Sequence, residues 1–310
     1  MTRAGHALVL TAGLGTRLRP LTTVRAKPAL PVAGEPLVRR IIRWLVQNGV
    51  DDVTLNLHHL SHTLTAVVGD GSDIGARVRY SWEHPVLLGS AGGPRHALDV
   101  LGADTFFLIN GDTLTDVSLP AVWRAHEDAR ALVTLAVVPN LQPQRYGGVR
   151  LAADGAVVGF VERGPAAAGS FHFFGVQVAG RQAFANLIDG RPARSVGELY
   201  DHLLSAHPGS VRGLVVQARF WDVGTVADYW NTSADLSGGD APVGVGARVA
   251  ASATVAGSIL WDHVTIGERA VVNECIVTDG VSVAAGAVHR RTILIRGAEG
   301  QTVASPFRWE

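Results

Sequence analysis

The sequence is poor in residues that staple, anchor or polarise a chain. It has one cysteine, Cys275, so no intrachain disulfide or thiolate metal cluster can form, which fits a reducing compartment and an expected cytoplasmic location. No uninterrupted apolar stretch approaches the roughly 18 residues of a membrane span. The start, Met1 to His6, is polar, so neither insertion nor export is signalled. Charge of one sign is also missing, because Lys+Arg 27 balance Asp+Glu 27. With no net charge there is no field to gather nucleic acid or anionic lipid over the whole molecule. Neither is expected as a partner; ligands should be small or locally bound. What is abundant is apolar residue, 47% against 17% charged, which excludes disorder and suits one large domain with a smaller one.

The first hundred and forty residues alternate short apolar runs with helix-period segments. His6 to Leu10 reads as a strand, and Pro36 to Asn48 places Leu37, Ile41, Ile42, Leu45 and Val46 on one helical face with Gly49 as the stop. Val53 to Leu57, Arg77 to Trp82, Thr105 to Ile109 and Leu132 to Val138 read as further strands. Helices are expected near Leu60 to Val68, Pro94 to Leu101 and Leu119 to Ala129. Strands separated by helices imply right-handed crossovers and a parallel sheet covered on both faces, with ligands at strand carboxyl ends. Two alternating strands around Asp154-Gly155 predict a hairpin, read as an inserted flap. A strand at Phe171 to Val178, a helix near Val196 to Ala206, a strand at Val211 to Phe220 and a closing helix at Thr225 to Leu236 complete the large unit. Ser237-Gly238-Gly239-Asp240 reads as the linker, which divides the chain into 1–236 and 237–310.

The remainder repeats. Ser258 to Val271 overlays Cys275 to Val288 at an offset of 17, matching Ile259 with Ile276, Asp262 with Asp279, Val264 with Val281 and Ala270 with Ala287. Aliphatic residues at about six-residue spacing with small partners mark hexapeptide coils of a parallel β-helix. A short stack is not stable alone, so a face or an open end should pack on the large domain or on another subunit.

After the first strand comes Leu10-Thr11-Ala12-Gly13-Leu14-Gly15-Thr16-Arg17-Leu18-Arg19-Pro20-Leu21-Thr22, then Lys27-Pro28-Ala29-Leu30-Pro31-Val32. It is no dinucleotide fingerprint, because Leu18 holds the third glycine position, and no P-loop, because no Gly-Lys-Ser/Thr follows. What remains is a glycine turn whose amides can approach an anion, followed by Arg17 and Lys27 as cations.

The whole string resembles the signature of the sugar-1-phosphate nucleotidylyltransferases, G-x-G-T-R-L-x-P-L-T followed by K-P-x-L-P-V. Leu88 to Gly93, Asn110-Gly111-Asp112, Tyr146-Gly147-Gly148, Phe160 to Arg163 and Trp221 to Thr225 resemble further pieces of that family in the expected order. The likeness covers roughly residues 6 to 232. It implies an α/β fold: a Rossmann-like, mostly parallel, GT-A-like nucleotidyltransferase domain followed by a short left-handed parallel β-helix. It also implies nucleotidyl transfer from a nucleoside triphosphate to a sugar 1-phosphate, with pyrophosphate released. Because that nucleophile is already anionic, no general base is required, and catalysis reduces to alignment plus charge neutralisation.

The resemblance carries roles onto matching residues. Arg17 would hold the departing β/γ-phosphates and Lys27 the α-phosphate. Asp112 and Asp222 would ligate Mg²⁺, the expected cofactor. Leu10, Ala12, Gly13, Gly15, Thr16, Glu83, Gly89 and Ser90 would line the nucleotide, and Glu83 could accept guanine's two N–H donors. Gly147, Glu162, Arg163 and Gly175 would meet the sugar phosphate; Arg163 stands where the family commonly has lysine. The aromatics Phe173-Phe174 before Gly175 either shape the sugar pocket or pack in the core.

The expected partners are therefore a nucleoside triphosphate and a sugar 1-phosphate, in a homo-oligomer built through the β-helix. GTP with a mannose- or heptose-type 1-phosphate is the favoured pair. UTP or dTTP with a glucose- or N-acetylmuramic acid-type 1-phosphate is the alternative, and a non-catalytic nucleotide-sugar-sensing subunit is the rival class. An acyltransferase role for the repeats fits poorly, because the stack is short and His263 and His289 do not share a repeat position.

Overall fold

The computed structural model describes residues 5–238 and 242–307. Gly239 and Asp240 of the expected linker lie outside the described residues. The chain forms two compact units, Met1–Gly13 with Val38–Asp222, and Leu14–Leu37 with Val223–Glu310. The segment Leu14–Leu37 thus belongs by compactness with the C-terminal residues, an arrangement that a division along the chain does not express.

The first unit is built on a nine-stranded sheet. Its middle is strand β1 (His6–Leu10), followed after helix α1 (Leu37–Gln47) by β2 (Asp52–Leu57), and after α2 (Ser61–Val68) by β3 (Arg77–Trp82). Helix α3 (Gly89–Leu101) leads to β4 (Thr105–Asn110), which returns to the other side of β1. These four strands are parallel. Their apolar runs are buried because helices cover both faces. Val38, Ile41, Ile42 and Leu45 of α1 are at most 1% exposed, so the expected helical face is the packed one.

Beyond β4 the sheet is mixed. A short strand β5 (Thr113–Thr115) and helix α4 (Leu119–Ala129) precede β6 (Val133–Pro139); the hairpin β7 (Gly148–Leu151) and β8 (Val157–Val161) follows, then β9 (Phe171–Gly180). The ten-residue β9 runs antiparallel to β4, β6 and β7. The hairpin turns at Gly155 (φ 84) as expected, but it extends the sheet at the edge of β9 and is not a separate flap. Within β9 the register shifts between Phe173 and Gln177, where Gly175 (φ 91) lies in the left-handed region that favours glycine.

Three expected boundaries moved, each with its own structural cause. Helix α3 begins at Gly89, five residues before Pro94, because Gly92 and Gly93 are needed for close packing: a Cβ would lie 2.5 Å from the Arg191 carbonyl oxygen or 2.3 Å from Glu83 Oε1. Helix α5 (Tyr200–Ala206) starts later than Val196, since Val196 is extended and Gly197 has φ 88. The expected strand Val211 to Phe220 splits into β10 (Val211–Val215), parallel to β6, and β11 (Phe220–Asp222), which leaves the sheet and pairs antiparallel with β5. The break is held by Asp116, whose carboxylate accepts the Arg219 backbone N–H (2.8 Å) and Nε (2.9 Å).

In the second unit, helix α6 (Val226–Ser237) opens with a capping box in which Thr225 and Asp228 satisfy each other's backbone amides. The C-terminal residues then wind through three parallel ladders. Thr254 pairs with Val271 and Val271 with Val288, Ile259 with Ile276 and Ile276 with Ile293, Arg248 with Thr265 and Thr265 with Ser282. This is the expected repeat register. Leu260, Val264, Ile266, Val272, Val277, Val281, Val283 and Leu294 fill the coil interior at no more than 3% exposure. Strand Thr302–Pro306 then returns antiparallel along Thr292–Arg296 and covers that ladder's edge.

Candidate active site

Each unit contributes its own set of candidate residues. In the first unit, β1 ends at Leu10 and is followed by Thr11 and Ala12, both at most 3% exposed. The Thr11 amide donates to Asn56 Oδ1 (2.6 Å), and Thr11 Oγ1 donates to the Asn56 carbonyl. Asn56 Nδ2 donates onward to Glu83 Oε1 (2.6 Å), and Glu83 Oε2 accepts the Leu88 amide (2.6 Å). Glu83 is 2% exposed, with one protein donor on each carboxylate oxygen. It therefore ties the exit of β1 to the start of α3, a job that its place in the sequence did not reveal.

At the start of α3, the Ala91 and Gly92 amides donate to the Ala193 carbonyl (3.0 and 3.2 Å), and Ser90 Oγ lies 3.0 Å from Ser195 Oγ. Gly89 has φ 78, and a Cβ there would stand 2.8 Å from the same carbonyl. Gly13 differs: it is exposed, and a Cβ would meet no described atom within 4 Å. A glycine there is not needed for packing, and its small size leaves the backbone open to an approaching group.

Asn110-Gly111-Asp112 follows β4. Gly111 donates to the Leu10 carbonyl (3.0 Å), and a Cβ on it would fall 2.3 Å from that oxygen. Asp112 is thereby delivered beside the exit of β1. The ribbon of β5 and β11 then pairs Asp222 with Thr113, the neighbour of Asp112. Two acids 110 residues apart in sequence thus lie at the same end of a three-residue ladder, Asp222 within it and Asp112 just before it. Both are half-buried, and Arg145 Nη2 lies 4.0 Å from Asp222 Oδ2. Among the described residues no group of three or more His, Cys, Asp or Glu side chains gathers to hold a metal. Two carboxylates fit Mg²⁺, a hard cation that commonly keeps several waters and takes phosphate oxygens as its other ligands.

Gly147 lines a cavity of about 200 Å³ with Gly148, Val149, Phe160, Val161, His172, Phe173 and Val196. Glu162 and Arg163, both exposed, continue directly from Val161. The two aromatics left open above divide their roles: Phe173 faces this cavity, while Phe174, 2% exposed, stacks on Phe220 with ring centroids 5.6 Å apart. Gly175 sits against Asn110, where a Cβ would lie 2.6 Å from the side chain.

His172 escaped the sequence reading. Its ring stacks on Tyr146 (4.1 Å between centroids) and is hydrogen-bonded to the Gly147 backbone. Burial pushes its pKa from the ordinary 6.5 to about 4, with Arg145 acting in the same direction and the Gly147 bond opposing. It is neutral at pH 7. Unfolding exposes a histidine that binds a proton near pH 6.5, whereas the folded one does so only near 4, so stability falls as pH drops through that interval. His126, also lowered by burial, adds to the same trend. Thermal melts between pH 7 and 4 should therefore be less pH-dependent in His172→Gln than in the parent; equal slopes would refute the assignment.

In the second unit, Gly15 has φ 61, and a Cβ there would stand 2.7 Å from Thr22 Cγ2. Thr22 Oγ1 in turn donates to the Gly15 carbonyl (2.9 Å), so the turn carrying Thr16 and Arg17 is locked on itself. Arg17 is exposed, whereas Lys27 is 9% exposed within the short turn Lys27–Ala29. A largely buried lysine and an exposed arginine in one glycine-led segment suit anionic oxygens.

Residues 6–238 match the model of the nucleotidyl transferase family, and residues 240–298 match that of the GlmU-like C-terminal hexapeptide. The chain belongs to the nucleotidyl transferase family. It is 33% identical to a mannose-1-phosphate guanylyltransferase of Mycobacterium tuberculosis over 94% of this chain and 84% of that one. It is 33% identical to an N-acetylmuramate alpha-1-phosphate uridylyltransferase of Neisseria meningitidis over 71% of this chain and 93% of that one. The crystal structure of HddC from Yersinia pseudotuberculosis shares its fold, with a TM-score of 0.65 at 22% identity over 74% of this chain and 98% of the other. The resemblance noted at positions 13 to 32 is thus a family relationship. No helix among the described residues is long and apolar enough to cross a membrane.

Proposed function

We propose that this chain transfers a nucleoside monophosphate from a nucleoside triphosphate to a sugar 1-phosphate. A sugar-phosphate oxygen forms the new bond to the α-phosphorus, the bond from that phosphorus to the α,β-bridging oxygen breaks, and pyrophosphate leaves with its electron pair. The observation that carries this reading is the β5–β11 register, which pairs Asp222 with Thr113, the neighbour of Asp112. Arg17 and Lys27 neutralise phosphate oxygens: the planar fork of Arg17 takes the departing β/γ-phosphates and the ammonium of Lys27 the α-phosphate. Asp112 and Asp222 would hold Mg²⁺, which supplies further charge neutralisation at the phosphates. Gly13 admits the nucleotide backbone, Glu83 fixes the two turns around it, and the cavity between Gly147 and Val161 takes the sugar, with Glu162 and Arg163 at its mouth. Arg17, Lys27, Asp112 and Asp222 are all present, which favours an enzyme over a sensing subunit.

The favoured pair is GTP with a mannose- or heptose-type 1-phosphate. This rests on the guanylyltransferase relative, whose likeness spans the C-terminal repeats as well as the sheet, whereas the uridylyltransferase relative matches a smaller share of the chain. The test is pyrophosphate release across GTP, UTP, dTTP, CTP and ATP against several sugar 1-phosphates with Mg²⁺. Release should require both substrates, stop with chelator, and be fastest for GTP. A UTP or dTTP maximum would overturn the base assignment, and no release with any pair would overturn the function.

A further inference from the structure

The overlay that matched Asp262 with Asp279 left both acids without a task. In the second unit they share one. Arg25 Nε donates to Asp279 Oδ2 (2.6 Å), and Arg25 Nη2 donates to Asp279 Oδ1 (2.7 Å) and to Asp262 Oδ2 (2.5 Å). The guanidinium is 5.5 Å from the centre of the Trp261 ring, and Arg25 is 8% exposed. Each acid is also anchored in the coils: Asp262 Oδ1 accepts the Val245 amide (2.8 Å) and Asp279 Oδ1 the Asp262 amide (3.2 Å). Because the coils stack in register, the two carboxylates present a paired surface that a planar fork can span and an ammonium cannot.

A second tie lies on the other side of Lys27. Trp261, fully buried, donates from Nε1 to Tyr229 Oη (2.9 Å), and Tyr229 Oη donates to the Pro31 carbonyl (2.6 Å). The Lys27–Ala29 turn is therefore held before and after by groups that the C-terminal residues supply.

We propose that Arg25, Asp262 and Asp279, with Trp261, are positioning residues for nucleotidyl transfer: the β-helix coils brace the loop and so set where Lys27 stands. This rests on the reading that Lys27 meets the triphosphate. A loop free to shift by about 1 Å would lose on the order of 10²-fold in rate, whereas the sugar subsite lies in the other unit and should be little affected.

The test compares Arg25→Gln, Asp279→Asn, the double variant and Arg25→Lys in the full-length protein. Each single change should lower kcat about 10- to 100-fold while the KM for the sugar 1-phosphate moves less than about twofold, because its cavity is untouched. The double variant should be no slower than the worse single one, as expected when two residues act as a unit. Arg25→Lys should recover only a small part. Turnover within twofold of the parent, or losses that multiply in the double variant, would overturn the brace.

Hydrogen exchange supplies an arm independent of activity. The Ala29 and Leu30 amides, which donate to the Ala26 and Lys27 carbonyls, should exchange at least about tenfold faster in Asp279→Asn. Unchanged protection there overturns the brace. If the parent releases no pyrophosphate with any pair, the functional reading fails and the exchange arm alone decides this one.

Discussion

Asp222→Asn and Asp112→Asn should each reduce kcat by about 10³-fold while leaving the melting temperature near that of the parent. The two side chains are half-buried at the end of a short ribbon, and neither lies in the core. Exchanging a carboxylate for an amide keeps size and shape but removes a charge and a hard oxygen ligand. Raising Mg²⁺ should recover part of the rate in either variant, since weakened binding of a cation is opposed by mass action. Steady-state rates across a Mg²⁺ titration, with thermal melts alongside, check this. Near-normal rates in either variant would reject the paired-carboxylate site. A rate loss accompanied by a collapse in melting temperature would move the residue from catalysis to folding.

Gly111→Ala should cripple activity although Gly111 itself is assigned no contact with substrate. The glycine has no unusual φ, so alanine is conformationally acceptable and the penalty is steric. The added methyl would stand 2.3 Å from the Leu10 carbonyl, a backbone atom in the central strand that no rotamer change can move. Either β1 or the Asn110-Gly111-Asp112 turn must shift. The turn is the softer of the two and carries Asp112 with it. Overpacking of this kind costs about 1–3 kcal/mol, and a displacement near 1 Å at a catalytic group costs on the order of 10²-fold in rate. Denaturant melts and kcat measured on the same preparation separate the two effects. Unchanged values of both would show that the contact relaxes at no cost.

Most of the first unit could be read in advance, because its strands are continuous apolar runs and its helices carry one packed stripe. Arg77 to Trp82 and Leu119 to Ala129 emerge with the ends that periodicity places on them. The repeat offset likewise survives as hydrogen-bonded register. What escaped was structure whose cause lies far off in the chain. A three-residue strand has too few positions to show alternation, so β5 and β11 were invisible, and with them the pairing of Asp222 with Thr113 beside Asp112. Gly92 and Gly93 read as loop residues because the reason for their smallness, the side chain of Glu83 and the 191–193 backbone, is not local. Glu83 reads in the sequence as an acceptor for guanine's N–H donors, yet it is buried between Asn56 and the Leu88 amide. The candidate residues were legible as types in order; the short ribbon and the close backbone approaches that position them within each unit were not.

The coil stack has one more implication. Solenoids whose turns touch only their neighbours can gain or lose a turn without disturbing the rest. Here Arg25 grips two particular turns, those bearing Asp262 and Asp279. An added turn beyond Asp279 would leave that grip intact, whereas one inserted between the two acids would pull them out of reach of a single side chain. The spacing of those two turns is therefore fixed by the reach of one arginine.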